Sequence, residues 1–311
     1  MKKRLFHVDY ASPDEVLFRS PEDIGAFRNR LALRAFAHDV GLLAKAAMSD
    51  HFHGVIECAT PAPFISSLRQ SYTDYFNRRY GRSGRLGLPG FFCRHLQGPV
   101  QVVVALSYTL RNGLHHGVSP TPFAYAYSSA NEMFRKERGL PGIPAGNFSL
   151  SEMRAMLPRH SAFPEDYEMD ESGIFLRRSF MDIARAESFF VTPRNFLFQM
   201  NRISDERWVA DQQRDDPSQP PVRLPDMEPF FTEASISRFL VNEKGWKYDP
   251  SRMTDLDVCA LIDHDLVPRF GRRSVYELTA GQKEKISKEL LFDCHLPAGQ
   301  IRRCLVLPSI R

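Results

Sequence analysis

Cysteine is scarce in this 311-residue chain and poorly placed for a framework: Cys58, Cys93, Cys259, Cys294 and Cys304 are odd in number, scattered, and never form a Cys-x-x-Cys pair. That spacing argues against a disulfide scaffold or a zinc ribbon and fits reduced thiols. No apolar run approaches the roughly 18 residues that a membrane span needs. The start, Met1-Lys2-Lys3-Arg4, passes straight into a strand pattern instead of the apolar core of a signal peptide, so a cytoplasmic protein is expected. There is no Gly-x-x-x-x-Gly-Lys phosphate loop and no internal repeat, which removes P-loop helicases and solenoids from the candidate classes.

What remains is an ordinary globular composition, 43% hydrophobic, long enough for a sizeable core and about two domains. The net charge of +4 is modest, but Arg69, Arg78, Arg79, Arg82, Arg85 and Arg94 face only Asp74 between positions 69 and 94. Clustered cations of this kind suit phosphate binding, and the Gly81-Arg82-Ser83-Gly84-Arg85 loop has the composition of a backbone-tracking turn. A solvated turn fits the same residues.

Alternation predicts a first strand over Arg4–Tyr10. Ser20, Pro21 and the acidic pair Glu22-Asp23 predict a capped helix to Asp39, apolar along Ile24, Phe27, Leu31 and Ala35. A strand from Leu42 to Met48 then pairs with the next strand as a hairpin, and Pro61-Ala62-Pro63 ends that unit. A second helix is expected over Phe64–Tyr80. Gln101–Arg111, with Gly98-Pro99 before it, suits a third, although its valine run also allows a buried strand.

The stretch Met48-Ser49-Asp50-His51-Phe52-His53-Gly54-Val55-Ile56 carries the chemistry. On a strand, His51 and His53 share one face while Phe52 points to the core, and two adjacent imidazoles are half of a metal site. The bland alternative is a pair of half-exposed histidines on an edge strand. If 101–111 is helical, Tyr108 and Asn112 stand one turn apart on one face and can both approach the histidines. Tyr108 packed beside the valines as an ordinary aromatic is the alternative there.

Taken in order, Phe6-His7-Val8, Leu17-Phe18 ahead of a helix, the Met48–His53 motif, Tyr75-Phe76-Asn77-Arg78-Arg79-Tyr80-Gly81, Tyr108-x-x-x-Asn112 and Tyr127-Ser128-Ser129 resemble the REP-associated tyrosine transposases, single-tyrosine members of the HUH family, over residues 1–135. The family usually has Asn where this chain has Asp50 and Pro where it has Gly113. The resemblance implies an α+β fold, ferredoxin-like, with an antiparallel sheet and helices on one face, followed by a mainly helical C-terminal region. It implies an enzyme that nicks and rejoins single-stranded DNA at hairpin repeats. Tyr108 is then the nucleophile, His51, His53 and Asn112 hold magnesium or manganese, and the six arginines bind DNA. Nucleoid association when DNA is bound follows, and a homodimer is left open. Two other readings share these residues: a domesticated hairpin-binding protein that does not cut, and a rolling-circle initiator or relaxase.

Beyond the region of resemblance, 136–270 reads as helical elaboration, with Ser149 and Glu152 in capping-box spacing and a proline-rich linker near 204–229. Residues 271–311 read as a helical hairpin over Thr279–Asp293 and Gly299–Leu305, with the late basic pair Arg302-Arg303 giving it a helix-turn-helix character, incomplete by one helix.

Overall fold

The computed structural model describes residues 2–202, 205–215, 217, 218, 220–223, 226, 227 and 248–308. Four strands, β1 (Arg4–Ala11), β2 (Gly41–Ala47), β3 (His51–Cys58) and β4 (Phe92–His95), form one antiparallel sheet in the order β2-β3-β1-β4. Sequence alternation places its side chains. Phe6, Val8 and Tyr10 of β1 and Phe52 and Ile56 of β3 point to one face, and His7, Asp9, His51, His53 and Val55 to the other. The expected β2–β3 hairpin forms, with Ala47 opposite Phe52 and a bulge between Leu42 and Ala44.

The first face is covered by α1 (Pro21–Ala37) and α2 (Pro61–Tyr80). Ser20 caps α1, its hydroxyl accepting from the Asp23 amide, and Ile24, Phe27, Leu31 and Ala35 are all buried. Pro61-Ala62-Pro63 follows the end of β3 and also forms the first turn of α2, which therefore starts at Pro61 and not at Phe64, because proline lacks only a donor that the first turn does not need. Gly81, at φ 63°, ends α2 in the left-handed conformation that glycine adopts without strain.

Helices on one face is the expectation that the structure changes. α3 (Gly98–Leu110) lies on the opposite face, where Val102, Ala105 and Leu106 pack against Leu43, Ala44 and Val55. The reason is in the strands: β1, β2 and β3 are buried on both sides, so the second face also needs an apolar cover. A short turn of helix, α4 (Asn112–His115), follows directly.

Residues after 135 pack on both sides of this unit. Around α5 (Leu150–Met156) and α6 (Arg177–Phe180), Met153, Leu157, Phe175 and Phe180 join the α1–α2 core. The capping box of Ser149 and Glu152 forms as expected. From α7 (Ile183–Phe190), α8 (Pro193–Met200) and α9 (Asp205–Asp215), the side chains Ala186, Phe190, Phe196, Met200 and Trp208 join the core beneath α3. The segment 204–229 is therefore not linker throughout: α9 forms in it because Trp208 and Gln212 reach a buried surface, Gln212 exchanging hydrogen bonds with the backbone of Val222. Its residues 204, 216, 219, 224, 225, 228 and 229 lie outside those described.

A third cluster joins α10 (Asp255–Leu261), α11 (Ala280–Phe292) and α12 (Ala298–Leu305), with Val16 of the N-terminal unit inside it. Arg19, fully buried, donates to both oxygens of Asp263 at 2.8 and 2.7 Å and to the Cys304 carbonyl at 2.8 Å. Among the described residues no helix is long and apolar enough to cross a membrane.

Candidate active site

Between the sheet and α3 the chain collects imidazoles around one phenol. β3 supplies His51 and His53, whose ring centroids lie 4.8 Å apart, and β1 supplies His7, stacked on His53 at 5.3 Å. α3 brings the Tyr108 ring to 5.4 Å from His53, edge to face, and 6.1 Å from His7. One turn later Asn112 places Oδ1 at 3.1 Å from His51 Nε2. The helix of 101–111 and its spacing thus bring Tyr108 and Asn112 to the two histidines as the sequence expects. The edge-strand alternative fails, since β3 sits inside the sheet and both histidines are fully buried.

Behind His51 stands Asp50, its Oδ1 2.8 Å from Nδ1. Burial pushes the Asp50 carboxyl up, but the hydrogen bond and charge of His51, with Arg303 and His116 nearby, outweigh it and hold the group well below the usual carboxylate range. An ionised carboxylate only accepts, so Nδ1 carries a proton and Nε2 turns toward the amide oxygen of Asn112. Two acceptors at that separation do not bond directly: the Asn112 amide can turn to donate Nδ2–H to Nε2, or the two can share a cation. A proton on Nε2 serves, and so does a metal ion, since ligand bonds of about 2.1 Å at right angles separate donors by about 3 Å. Among the described residues no three His, Cys, Asp or Glu side chains converge as a metal site. Any metal bound here would have imidazole and amide donors, a set that suits manganese better than magnesium.

Asp50 is in turn held from the far end of the chain. Arg303 of α12 places Nε at 3.7 Å from Asp50 Oδ2 and Nη2 at 3.1 Å from Asp255 Oδ2, and Ser49 donates to the same Asp255 oxygen at 2.8 Å. Arg302 pairs with Asp14 at 3.0 Å. The basic pair of the C-terminal hairpin thus faces carboxylates of this protein.

Gly113 has a packing reason. A Cβ there would meet Tyr125 Cγ at 2.4 Å, and Tyr125 donates to the Ala47 carbonyl at the end of β2. The close approach ties the turn after Tyr108 to the strand beside the histidines.

No protein-family model matches the chain, and no curated protein does. Among solved structures, it is similar to the REP-associated tyrosine transposase bound to a REP hairpin, at 12% identity and a TM-score of 0.37, over 49% of this chain and 92% of that one. It is also similar to a candidate transposase from Deinococcus radiodurans R1, at 18% identity and a TM-score of 0.27, over 33% of this chain and 87% of that one.

The arginines do not gather at this site. Arg69, Arg78 and Arg79 sit on α2 and Arg82 and Arg85 in the loop after it, on the sheet face away from the histidines. Arg69 donates to the carbonyls of Leu88, Pro89 and Gly90 and lies 4.6 Å over the Tyr10 ring. Arg79 pairs with buried Asp23 at 3.5 Å, and Arg82 is bidentate to Glu15. Arg78 and Arg85 are exposed. Arg94 alone shares the histidine face, opposite His7 on β4, and pairs with Asp226 at 3.6 Å.

His7, Asp9 and His115 are the buried members of the site that the sequence did not single out. The signal was the alternation Phe6-His7-Val8-Asp9-Tyr10, which reads as one polar face turned to water unless a helix is known to cover it. His115 stacks on Tyr108 at 5.4 Å, and Trp208 of α9 closes over it at 6.3 Å. With that cover in place Tyr108 is 1% exposed.

Proposed function

We propose that the chain is a single-tyrosine HUH transposase that nicks and rejoins single-stranded DNA at hairpin repeats through a 5′-phosphotyrosine intermediate. The observation that carries this reading is the meeting of Tyr108 and Asn112, one helical turn apart, with His53 and His51 at 5.4 and 3.1 Å. The sheet order β2-β3-β1-β4, with α1 and α2 across one face, supports the ferredoxin-like arrangement implied by the sequence resemblance. Residues 1–135 form the catalytic unit in this reading, and the helices after it enclose and brace it.

Tyr108 attacks a backbone phosphorus, its phenolic oxygen forms the new ester, and the 3′ oxygen departs with a proton. A phenol with an ordinary pKa near 10 needs a base to do this at neutral pH, and His7 and His115 beside its ring offer imidazole nitrogens for that proton. His51, His53 and Asn112 would hold magnesium or manganese, which polarises a phosphate oxygen when bound. Asp50 keeps His51 in the tautomer that presents Nε2. Rejoining reverses the transfer to a second 3′ hydroxyl, and the phosphotyrosine ester conserves the bond energy, so no ATP is consumed. For a strand to reach the phenol, α9 and Trp208 must part from α3.

The same burial favours a second reading, a hairpin-binding protein that does not cut. Incubating the full chain with labelled single strands carrying the repeats beside its own gene, plus manganese, separates the two on a denaturing gel. The transposase leaves DNA covalently attached to protein. A binder retards DNA on a native gel and leaves it free after denaturation.

A further inference from the structure

The sheet face turned away from the histidines carries a buried lysine with two half-buried arginines near it. Lys45 of β2 stands opposite Gly54 in the register and so points toward α1. It is 2% exposed, and its ammonium meets the Tyr127 carbonyl at 3.1 Å. An ammonium has three protons to place, so this one acceptor leaves it short. Two guanidiniums stand near it. Arg28 pairs through Nη2 with Asp170 at 3.0 Å and Arg177 through Nη1 with Glu132 at 3.2 Å, yet the Nε of each is buried with no acceptor. Three cationic side chains against two carboxylates leave an excess of donors and of positive charge, which Lys45 relieves by giving up its proton or an anion relieves by binding. Burial, then the charges of Arg177 and Arg28, push the Lys45 pKa well below its ordinary value, with Glu132 opposing. Burial and Arg177 likewise draw Arg28 down to about 10.

Lys45, Arg28 and Arg177 line one cavity of about 710 Å³ between α1 and the chain around 155–177, together with Tyr75 and Tyr127. That volume exceeds what a bare phosphate needs and falls in the range of small-molecule sites. We propose that this cavity binds the phosphate group of a nucleotide, with Lys45 and the guanidiniums of Arg28 and Arg177 as donors and the half-buried Tyr127 ring as a platform for the base. Phosphate oxygens supply the missing acceptors and the missing charge together, and aromatic rings stack on any base. The nucleotide comes either from a DNA strand or free from solution. The site lies across the sheet from Tyr108 and does not rest on the transposase reading.

Calorimetric titration of the full chain in phosphate-free buffer tests it with deoxyadenosine 5′-monophosphate, deoxyadenosine, inorganic phosphate and a short single strand. The monophosphate is expected to bind and the unphosphorylated nucleoside to fail. Lys45→Met should weaken monophosphate binding roughly tenfold to a hundredfold, the loss of one charged hydrogen bond, and raise the melting temperature of the ligand-free protein. Arg28→Gln carries the same binding test should Lys45→Met not fold. Competition by the single strand assigns the site to DNA, and failure to compete assigns it to free nucleotide. Absence of monophosphate and phosphate binding to the parent, or equal binding by the folded variants, overturns the proposal.

Discussion

Removing the carboxylate of Asp263 tests how firmly the C-terminal helices are fixed to the sheet domain. Its partner Arg19 has a side chain with no exposure, while Asp263 itself is 19% exposed, and the contact is bidentate at 2.8 and 2.7 Å. Breaking a buried ion pair from one side costs about 3–5 kcal/mol, since the remaining charge stays desolvated. Arg19 keeps the Cys304 carbonyl and a Tyr80 ring 5.8 Å away, and water can enter where Asp263 was, so the low end applies. Asp263→Ala is expected to cost about 3 kcal/mol, a fall of roughly 6–12 °C in melting temperature for a chain of this size. Arg19→Met combined with Asp263→Leu, which removes both charges, should return to within about 1 kcal/mol of the parent or above it. Urea unfolding of the parent, Arg19→Met, Asp263→Leu and the double variant gives the coupling. A single-variant cost under about 0.5 kcal/mol, the level of ordinary surface changes, would refute the reasoning.

Three further outcomes follow from the geometry. Asp50 ionises below the usual range, so the stability it adds is present above pH of about 4 and fades as pH falls toward its lowered value; Asp50→Asn should cost about 1.5–3 kcal/mol at pH 6 and progressively less in urea melts at pH 4 and 3, and a constant difference would remove the His51 pairing. Gly113→Ala drives a methyl into Tyr125 and should cost about 1–3 kcal/mol, a cost that a smaller residue at 125 relieves; no relief in the double variant would exclude the contact. Arg82→Ala leaves Glu15 without its cation and should destabilise by about 2 kcal/mol, whereas exposed Arg85→Ala leaves stability alone; equal effects on stability would contradict the placement of these two arginines.

Much of the N-terminal unit was legible because its signals are local. Ser20-Pro21 with Asp23 fixes a helix start, and the alternation around His51 and His53 fixes a strand and its two faces. The spacing of Tyr108 and Asn112 placed both on one side of a helix end, and they do meet the histidines. What could not be read depends on contacts distant in sequence. The basic character of the 69–94 segment is plain, but that Arg82 is absorbed by Glu15 and Arg79 by Asp23 is visible only once the chain is folded. The same holds for α9, whose sequence is polar apart from Trp208-Val209-Ala210 and which forms against a surface built by α3. Asp50 and Gly113 depart from the family pattern, and each has a partner that local sequence does not reveal: Arg303 for the first and Tyr125 for the second.

Mapping the attached residue tests the central claim most directly. The full chain is incubated with manganese and single strands bearing the flanking repeats, digested with trypsin, and the nucleotide-bearing peptide is sequenced by mass spectrometry. The account expects the adduct on Tyr108, through a 5′ phosphate, and its disappearance in Tyr108→Phe with melting temperature and native-gel DNA binding retained. An adduct on another tyrosine, or one that persists in Tyr108→Phe, would contradict it.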